Sequence, residues 1–227
     1  MYLYLVSNKT KIDNLIIYIS ISLSLLPIFL SWGSKLNVNL LLIFSYSIYS
    51  FFSDVFLNRF FQLNFGSEII SYRLFTIVEF SIFISLIYFN AKNKMIKNLT
   101  LLSIFAFIIS LIVDFGEFNI YDFDSLPTGV ESIFIITLTI ACIREKLMNQ
   151  RIFTNLDIWI HFGNLIYFSG LFFLFILSQK NIHNSEFANI FSIATAVFNI
   201  IKNITYSIGV IIHKNSHKHS IFANNLI

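Results

Sequence analysis

The chain has little of what a soluble protein contains in abundance. Only 12% of its 227 residues are charged, whereas a soluble domain carries about 25%, so an ordinary globular protein is excluded. The single cysteine, Cys142, excludes an internal disulfide and a cysteine-based zinc or iron–sulfur site. Only two prolines and seven glycines are present, which favours long uninterrupted helices. Disorder is excluded as well, because 56% of the residues are hydrophobic and 18% are aromatic.

What the chain does contain is apolar sequence in long stretches, with a mean hydropathy of +0.77. A bilayer core about 30 Å thick requires roughly 20 apolar residues per helix. Seven stretches qualify as spans 1 to 7: Leu15–Trp32, Leu36–Val55, Ser71–Phe89, Asn98–Phe115, Gly129–Ile143, Ile158–Leu177 and Phe187–Ile212. The sequence therefore predicts an all-α polytopic integral membrane protein. We expect one seven-helix domain over residues 1–227, with short loops and a short basic C-terminal tail.

Two spans have features that bear on their boundaries. Span 5 is predicted to be the shortest and to begin just after Pro127, since proline is favoured at a helix start. Span 1 follows Lys9 and Lys11, as the apolar region of a signal peptide would. The segment Trp32–Lys35 is a poor cleavage site, however, so we expect span 1 to remain in the protein.

The distribution of basic residues predicts an orientation. With seven spans, the N-terminus and loops 2, 4 and 6 share one side, which carries five Lys and Arg residues against nine on the other. Because basic residues concentrate in cytoplasmic loops, we expect the N-terminus outside and the C-terminus in the cytoplasm. Lys9 and Lys11 disagree with this orientation. Acidic residues agree with it by falling in the predicted external loop 4: Asp114, Glu117, Asp122 and Asp124.

The basic residues on the predicted cytoplasmic side are interpreted as a rim that faces anionic lipid. No basic domain exists to present them to nucleic acid, so the lipid bilayer is the expected partner. The tail has a histidine spacing that resembles a metal site, but we interpret it as a short basic segment next to the membrane and predict no metal. Its residues are His213, Lys214, His217, Lys218 and His219.

Three ionisable residues fall within the spans, where charges are costly and mark functional candidates. Glu79 lies near the middle of span 3, Glu131 in the outer half of span 5, and Lys202 near the middle of span 7. At about 100° per residue, polar residues fall on one helix face in each of spans 3, 6 and 7. The shared faces are Tyr72, Thr76 and Glu79 in span 3; Asp157, His161 and Asn164 in span 6; and Ser192, Thr195, Asn199, Lys202, Asn203 and Tyr206 in span 7.

These polar faces allow two interpretations. One is interhelical hydrogen bonding that holds the bundle together, helped by close helix packing at Gly163 and Gly170 on another flank of span 6. The other is a ligand-binding site between spans 3, 5, 6 and 7, with Glu79 and Glu131 as acceptors and Lys202 as the cation. In that site the Asn and Tyr groups would set the geometry. A buried Lys–Glu pair would also neutralise two costly charges.

No residue is predicted to be catalytic. His161 alone is more often a buried hydrogen-bonding residue than a ligand, and Cys142 is interpreted as a packing residue. The chain contains no Gly-x-Ser-x-Gly, His-Glu-x-x-His or Gly-x-Gly-Asp pattern. The acidic pair Asp122 and Asp124 lies in an external loop without partners in the sequence. We therefore expect the protein not to be an enzyme.

Four short phrases of the sequence resemble a family of largely uncharacterised bacterial seven-helix membrane proteins. The phrases are residues 72–80, residues 131–133, residues 157–160 with 165–170, and residues 199–203. Members of that family occur alone or beside sensor histidine kinases. The resemblance implies a multi-pass protein of the bacterial cell (inner) membrane with a sensory or signalling role. It also implies a histidine kinase as a partner.

A looser similarity is to retinal proteins, which have seven helices, an external N-terminus and a lysine in the last helix. There the lysine forms a Schiff base and a carboxylate on the third helix is its counter-ion, so the resemblance would place retinal on Lys202 and the counter-ion at Glu79. This sequence departs from that pattern. Thr76 stands where an arginine is usual, and only Trp32 and Trp159 are available to enclose a polyene.

The sequence thus favours a non-enzymatic sensory or signal-transducing membrane protein with a buried polar site. The alternative is a small-solute or proton-linked transporter, although no inverted repeat and no pair of helices broken by Gly or Pro is visible. A retinal-binding photoreceptor is the third interpretation.

Overall fold

The structure, a computed structural model, describes residues 11–34, 36–65, 69–117, 125–148, 155–181 and 185–224. These residues are almost entirely helical, and no strand occurs among them. One π-helical turn, Ser53–Leu57, interrupts the second long helix. The α-helices are Lys11–Ser24, Leu26–Ser31, Val38–Phe52, Asn58–Phe65, Ile69–Asn90, Lys94–Glu117, Ser125–Met148, Asn155–Asn181 and Ser185–Asn224.

Seven helical stretches are long and apolar enough to cross a membrane, which confirms the all-α seven-helix prediction. The term span now refers to these observed bounds. Spans 1 to 7 are Asp13–Ser31, Val38–Phe65, Ile70–Asn90, Lys94–Phe115, Leu126–Met148, Leu156–Leu177 and Asn189–Asn215. The protein is therefore a multi-pass membrane protein.

The prediction for span 5 was wrong in its length. Span 5 has 23 residues, whereas span 1 has 19 and is the shortest. Its helix begins at Ser125, so Pro127 lies inside the first turn rather than before it. Proline is tolerated there because the first-turn N–H groups have no partner within the helix. At the other end, the helix continues through the charged residues 144–146 to Met148.

Span 1 is broken near its end at the other proline. One helix stops at Ser24 and the next starts at Leu26, with Pro27 in its first turn. Gly33 then has a φ of 76°, a left-handed conformation that glycine adopts without a steric penalty. Asn37 caps span 2 by accepting a hydrogen bond from the backbone N–H of Leu40 at 2.8 Å. Together these residues form the tight connection between spans 1 and 2.

The spans form a closed ring in chain order. Each span packs against the next, span 7 returns to span 1, and spans 3 and 5 also contact each other. Spans 6 and 7 have the most extensive contact. Large apolar side chains cover the outside, such as Phe29 at 67% and Ile112 at 66% exposure, while many polar side chains are buried. An apolar exterior around a polar interior is the arrangement that a lipid bilayer requires.

Several basic residues counted in the orientation argument lie inside the observed spans rather than in loops: Arg59, Arg73, Lys94, Lys97, Arg144, Lys146 and Lys214. Arg73 lies inside span 3 and is only 3% exposed, and its Nη2 forms an ion pair with Asp114 Oδ2 at 2.9 Å. The guanidinium also lies 4.8 Å from the centre of the Phe115 ring. Arg59 lies inside span 2. Other residues of that argument lie outside the described residues: Lys9, Lys35, Asp122, Asp124, Arg151 and the side chains of Lys11, Glu117, Lys180 and Lys218. The side chains of the tail residues His217 and His219 also lie outside the described residues.

Candidate functional site

The centre of the bundle holds an oppositely charged pair. Lys202 of span 7 is fully buried, and Glu79 of span 3 is 3% exposed. The Lys202 Nζ atom lies 3.8 Å from Glu79 Oε1. Both residues are near the middle of their spans, so the pair lies at about the mid-depth of the bundle. Each head group points into the bundle, and the charges of the pair cancel.

A tyrosine from span 2 bridges the pair. The Tyr46 hydroxyl donates to Glu79 Oε1 at 2.7 Å, and the Lys202 ammonium donates to the Tyr46 hydroxyl oxygen. Tyr46 is 1% exposed, so the hydrogen bonds are shielded from solvent and from lipid. Hydrogen bonds to charged groups are the stronger ones in proteins, and they strengthen further in a medium of low dielectric constant.

An aromatic ring from span 6 completes this group. The Lys202 Nζ atom lies 3.3 Å from the centre of the Tyr167 ring and 4.4 Å from the centre of the Tyr46 ring. Cation–π attraction of this kind is strongest when the cation is desolvated, as it is here. We call Tyr46, Glu79, Tyr167 and Lys202 the central cluster. Its members come from spans 2, 3, 6 and 7 and join non-adjacent parts of the ring.

Two further carboxylates act on the central cluster electrostatically. Asp54 and Glu131 both contribute to the field at Lys202. Glu131 of span 5 is 1% exposed. Asp54 belongs to the π-helical turn of span 2, a type of turn that is rare and often occurs at functional sites. The lysine therefore has three acidic residues around it, of which Glu79 is the paired one.

A second polar contact lies one helical turn from the cluster. Tyr206 is four residues after Lys202, and its hydroxyl donates to Asn164 Oδ1 of span 6. Both residues are fully buried. The contact depends on close helix packing at Gly163, where a Cβ atom would lie 2.4 Å from Thr205 Oγ1 and 2.8 Å from the Tyr206 ring. Gly170 is likewise close to the Phe198 ring of span 7.

A third group, which we call the Asp157 cluster, lies at the end of the bundle where spans 1 and 2 are joined. The Asp157 carboxylate accepts hydrogen bonds from Lys146 Nζ at 2.9 Å and from Asn39 Nδ2 at 2.7 Å. Asn39 Nδ2 also reaches Asn90 Oδ1 at 2.9 Å. The Asp157 cluster consists of Asn39, Asn90, Lys146 and Asp157, from spans 2, 3, 5 and 6. His161, fully buried, is one turn deeper in span 6 and interacts electrostatically with Asp157 and Lys146.

Four of the residues proposed from the sequence lie elsewhere. Asn199 donates to Ser20 Oγ of span 1 at 3.0 Å, and Asn203 donates to Asn199 at 3.4 Å. Thr76 donates to the backbone carbonyl oxygen of Tyr72 at 3.1 Å within its own helix. Only the Asn199–Ser20 contact joins two spans, and the other two contacts lie within one helix. None of these hydrogen bonds includes a residue of the central cluster.

The sequence analysis missed Tyr46 and Tyr167 as site residues, and it did not assign span 2 to the site. Tyr46 was not proposed, although it lies on a polar face of span 2 whose members are all buried: Tyr46, Ser47, Ser50 and Ser53. That face was readable in the sequence by the same periodicity that was applied to spans 3, 6 and 7. Tyr167 could be found in the same way, because it lies three residues after Asn164 and so shares the polar face of span 6. The site therefore includes span 2, and span 5 contributes only through Glu131.

The central cluster holds one buried cation and one buried carboxylate on either side of a tyrosine hydroxyl. Lys202 and Glu79 are already paired, and the hydroxyl between them is hydrogen-bonded on both sides. Within the described residues, no three His, Cys, Asp or Glu side chains are grouped in a way that would hold a metal ion. What the central cluster can do is change its charge or its partners, and any such change alters the contacts among four spans.

The fold and the central cluster define a seven-helix membrane bundle with a buried ion pair. No protein-family model, no curated protein and no solved structure matches the chain.

Proposed function

We propose that the protein is a non-enzymatic sensory or signal-transducing unit of the bacterial inner membrane, with the central cluster as its sensing element. One observation carries the proposal: Lys202, Tyr46 and Glu79 form a closed, charge-neutral group at mid-membrane. If one charge is altered by a proton, a ligand or a field, the other is left unpaired, which costs about 3–5 kcal/mol. An energy of that size is enough to shift an equilibrium between two packings of four spans.

The signal then has to leave the bundle through a partner. We propose a sensor histidine kinase as that partner, as the family resemblance implies. We also propose that the N-terminus is outside and the Asp157 cluster lies on the cytoplasmic side. The nine basic residues on the predicted cytoplasmic side, against five on the other side, support this orientation.

The residues around Lys202 do not fit retinal. A Schiff base needs space next to Nζ for a polyene, and that space holds the rings of Tyr167 and Tyr46. Neither tryptophan lies beside the amine: Trp32 is 81% exposed, and Trp159 packs near Gly209, seven residues further along span 7. We therefore propose no cofactor. Purified protein should absorb only in the ultraviolet, and a visible absorption band lost in Lys202→Met would contradict this.

One experiment separates the sensor from the transporter. The kinase recovered by cross-linking in native membranes is reconstituted in liposomes with wild-type protein, or with the double variant Glu79→Gln, Lys202→Met. We expect wild-type protein to change the rate of kinase autophosphorylation and the folded double variant to lose that effect. Failure to recover a kinase would contradict the proposed partner.

The transporter alternative has its own readout in the same liposomes, because a transporter works without a partner. Liposomes that contain the wild-type protein alone are given a proton gradient, and the flux of protons or solute is followed with a dye or a tracer. No flux above that of empty liposomes is expected. A flux that disappears in the double variant would overturn the sensory proposal in favour of transport.

A further inference from the structure

Span 6 presents a line of polar side chains that leads from the Asp157 cluster towards the central cluster. Asp157, His161 and Asn164 are spaced by four and three residues, so they lie on one helix face. Their exposures are 8%, 0% and 0%. At 1.5 Å per residue, they cover about 10 Å of depth, or about a third of a hydrocarbon core about 30 Å thick. This face points into the bundle.

The line continues in span 7 to the central cluster. Tyr206 donates to Asn164 and interacts electrostatically with Glu79. It is also four residues from Lys202, on the same side of its helix. We call Asp157, His161, Asn164 and Tyr206 the polar line. Asp157 and His161 interact electrostatically, and Asn164 lies about one helical turn after His161. Tyr206 then donates a hydrogen bond to Asn164.

The polar line is suited to holding water. Asn164 Nδ2 is buried and has no hydrogen-bond partner among the described residues. Buried polar groups of native proteins nearly always have partners, and ordered water supplies them where no side chain does. One turn of helix separates successive members by about 5–6 Å, and a single water with two hydrogen bonds of about 2.8 Å bridges such a gap.

We infer that the polar line conducts protons between the Asp157 end of the bundle and Glu79. This inference rests on the proposed function, and it names the proton as the signal that reaches the central cluster. A proton from water enters at Asp157, and His161 accepts it on one ring nitrogen while releasing the proton of the other. Water held by Asn164 and Tyr206 carries it on, and it ends in a new O–H bond on the Glu79 carboxylate. Each intermediate group gains one proton as it loses one.

The charge of the central cluster then changes by one unit. Neutral Glu79 no longer balances Lys202, and the contact of 3.8 Å between them loses its ionic attraction. The titratable groups around the two ends of the line set when this happens. Around Glu79 and Lys202 they are Tyr46, Tyr49, Asp54, Glu131, Tyr167 and Tyr206, and around His161 they are Lys146 and Asp157.

The test follows the protonation of Glu79 by infrared spectroscopy in nanodiscs after a rapid drop in pH. The carboxylic acid C=O band is assigned by its loss in Glu79→Gln. Tyr206→Phe keeps the ring and removes only the hydroxyl. His161→Phe removes the relay, since a positioned acid–base group speeds proton transfer about a hundredfold or more. We expect both variants to slow the appearance of the band at least tenfold.

Tyr88→Phe is the matched control, because the Tyr88 ring of span 3 faces Lys97 Nζ of span 4 at 5.0 Å and Tyr88 is not a member of the polar line. Its rate should equal that of the wild type. If His161→Phe does not fold, Tyr206→Phe alone decides. Unchanged rates in Tyr206→Phe, or a Glu79 band that does not respond to pH, would overturn the inference and leave the kinase experiment unaffected. Conversely, slower appearance of the band in the variants together with no kinase effect would overturn the sensory function but not the inference about the polar line.

Discussion

At the scale of single residues, the Tyr46 hydroxyl links the two buried charges by hydrogen bonds. It accepts from Lys202 and donates to Glu79, while the direct Lys202–Glu79 distance is 3.8 Å, longer than a hydrogen bond. The two charges therefore attract each other directly as an ion pair and are also linked by this one oxygen atom. Without it, each charge would lose one hydrogen bond in the buried interior of the bundle, where a lost partner is costly.

Removal of that hydroxyl should destabilise the bundle. Tyr46→Phe leaves the ring and its packing intact but deprives two buried charged groups of a partner, which costs about 1–3 kcal/mol. The free energy of unfolding, measured by titration with denaturing detergent, should fall by that amount. Tyr18→Phe is the control, because Tyr18 is 68% exposed on the apolar outer surface. Equal stability of the two variants would show that the bridge is not important.

The sequence predicted which charges are buried better than it predicted their partners. Glu79 and Lys202 stand out because an ionisable residue inside a membrane span is energetically costly and therefore rare. Tyr46 and Tyr167 stand out less, because tyrosine is common in this chain, although each shares a helix face with a polar residue, Ser50 in span 2 and Asn164 in span 6. Which tyrosine reaches the pair depends on how the spans rotate against each other, and that rotation is set by packing rather than by periodicity.

At the scale of elements, the pairing of spans 6 and 7 positions both the central cluster and the polar line. Gly163 allows Thr205 and Tyr206 to approach span 6, and Gly170 does the same for Phe198. The sequence predicted close packing on this flank of span 6, and the structure identifies span 7 as the neighbour. Small residues at such a contact let two helix backbones approach closely, which is how membrane helices gain packing energy.

A side chain at Gly163 should separate the two spans. In Gly163→Leu the added atoms would overlap Thr205 Oγ1, which is 2.4 Å from the position of the Cβ atom. Overpacking of this kind costs about 1–3 kcal/mol or more, and the Tyr206–Asn164 hydrogen bond should break as well. The unfolding free energy measures the loss. Ser169→Val adds bulk to the exposed side of the same helix and should be neutral, so an equal loss in both variants would contradict the proposed contact.

The boundaries of the elements were harder to predict than their number. Span 5 continues past the charged residues near Met148, because long charged side chains at a helix end reach the membrane surface without unwinding the helix. Span 2 continues to Phe65 through the π-helical turn, although Asp54 and Arg59 interrupt its apolar pattern. Hydropathy marks where lipid contact is favourable, whereas the hydrogen-bonded helix extends beyond that region.

At the scale of the whole molecule, seven spans follow from length and composition alone, and the ring follows from short connections between neighbours. Orientation is a separate property, which we predict from the nine basic residues on one side against five on the other. A cysteine-accessibility scan in intact cells, in a Cys142→Ser background, tests it. A cysteine near Asp122 should react with an impermeant reagent, and one near Lys94 should not. Labelling near Lys94 would reverse the orientation.

The central claim is that Glu79 and Lys202 stabilise the bundle as one neutral pair. A double-mutant cycle on the unfolding free energy tests this claim most directly. Glu79→Gln and Lys202→Met should each cost about 3–5 kcal/mol, because each strands a buried charge. The double variant should recover most of that loss, while the off-cluster variant Asn199→Leu should cost less than about 2 kcal/mol. Losses that simply add in the double variant would mean that the two residues do not interact, and would contradict the account.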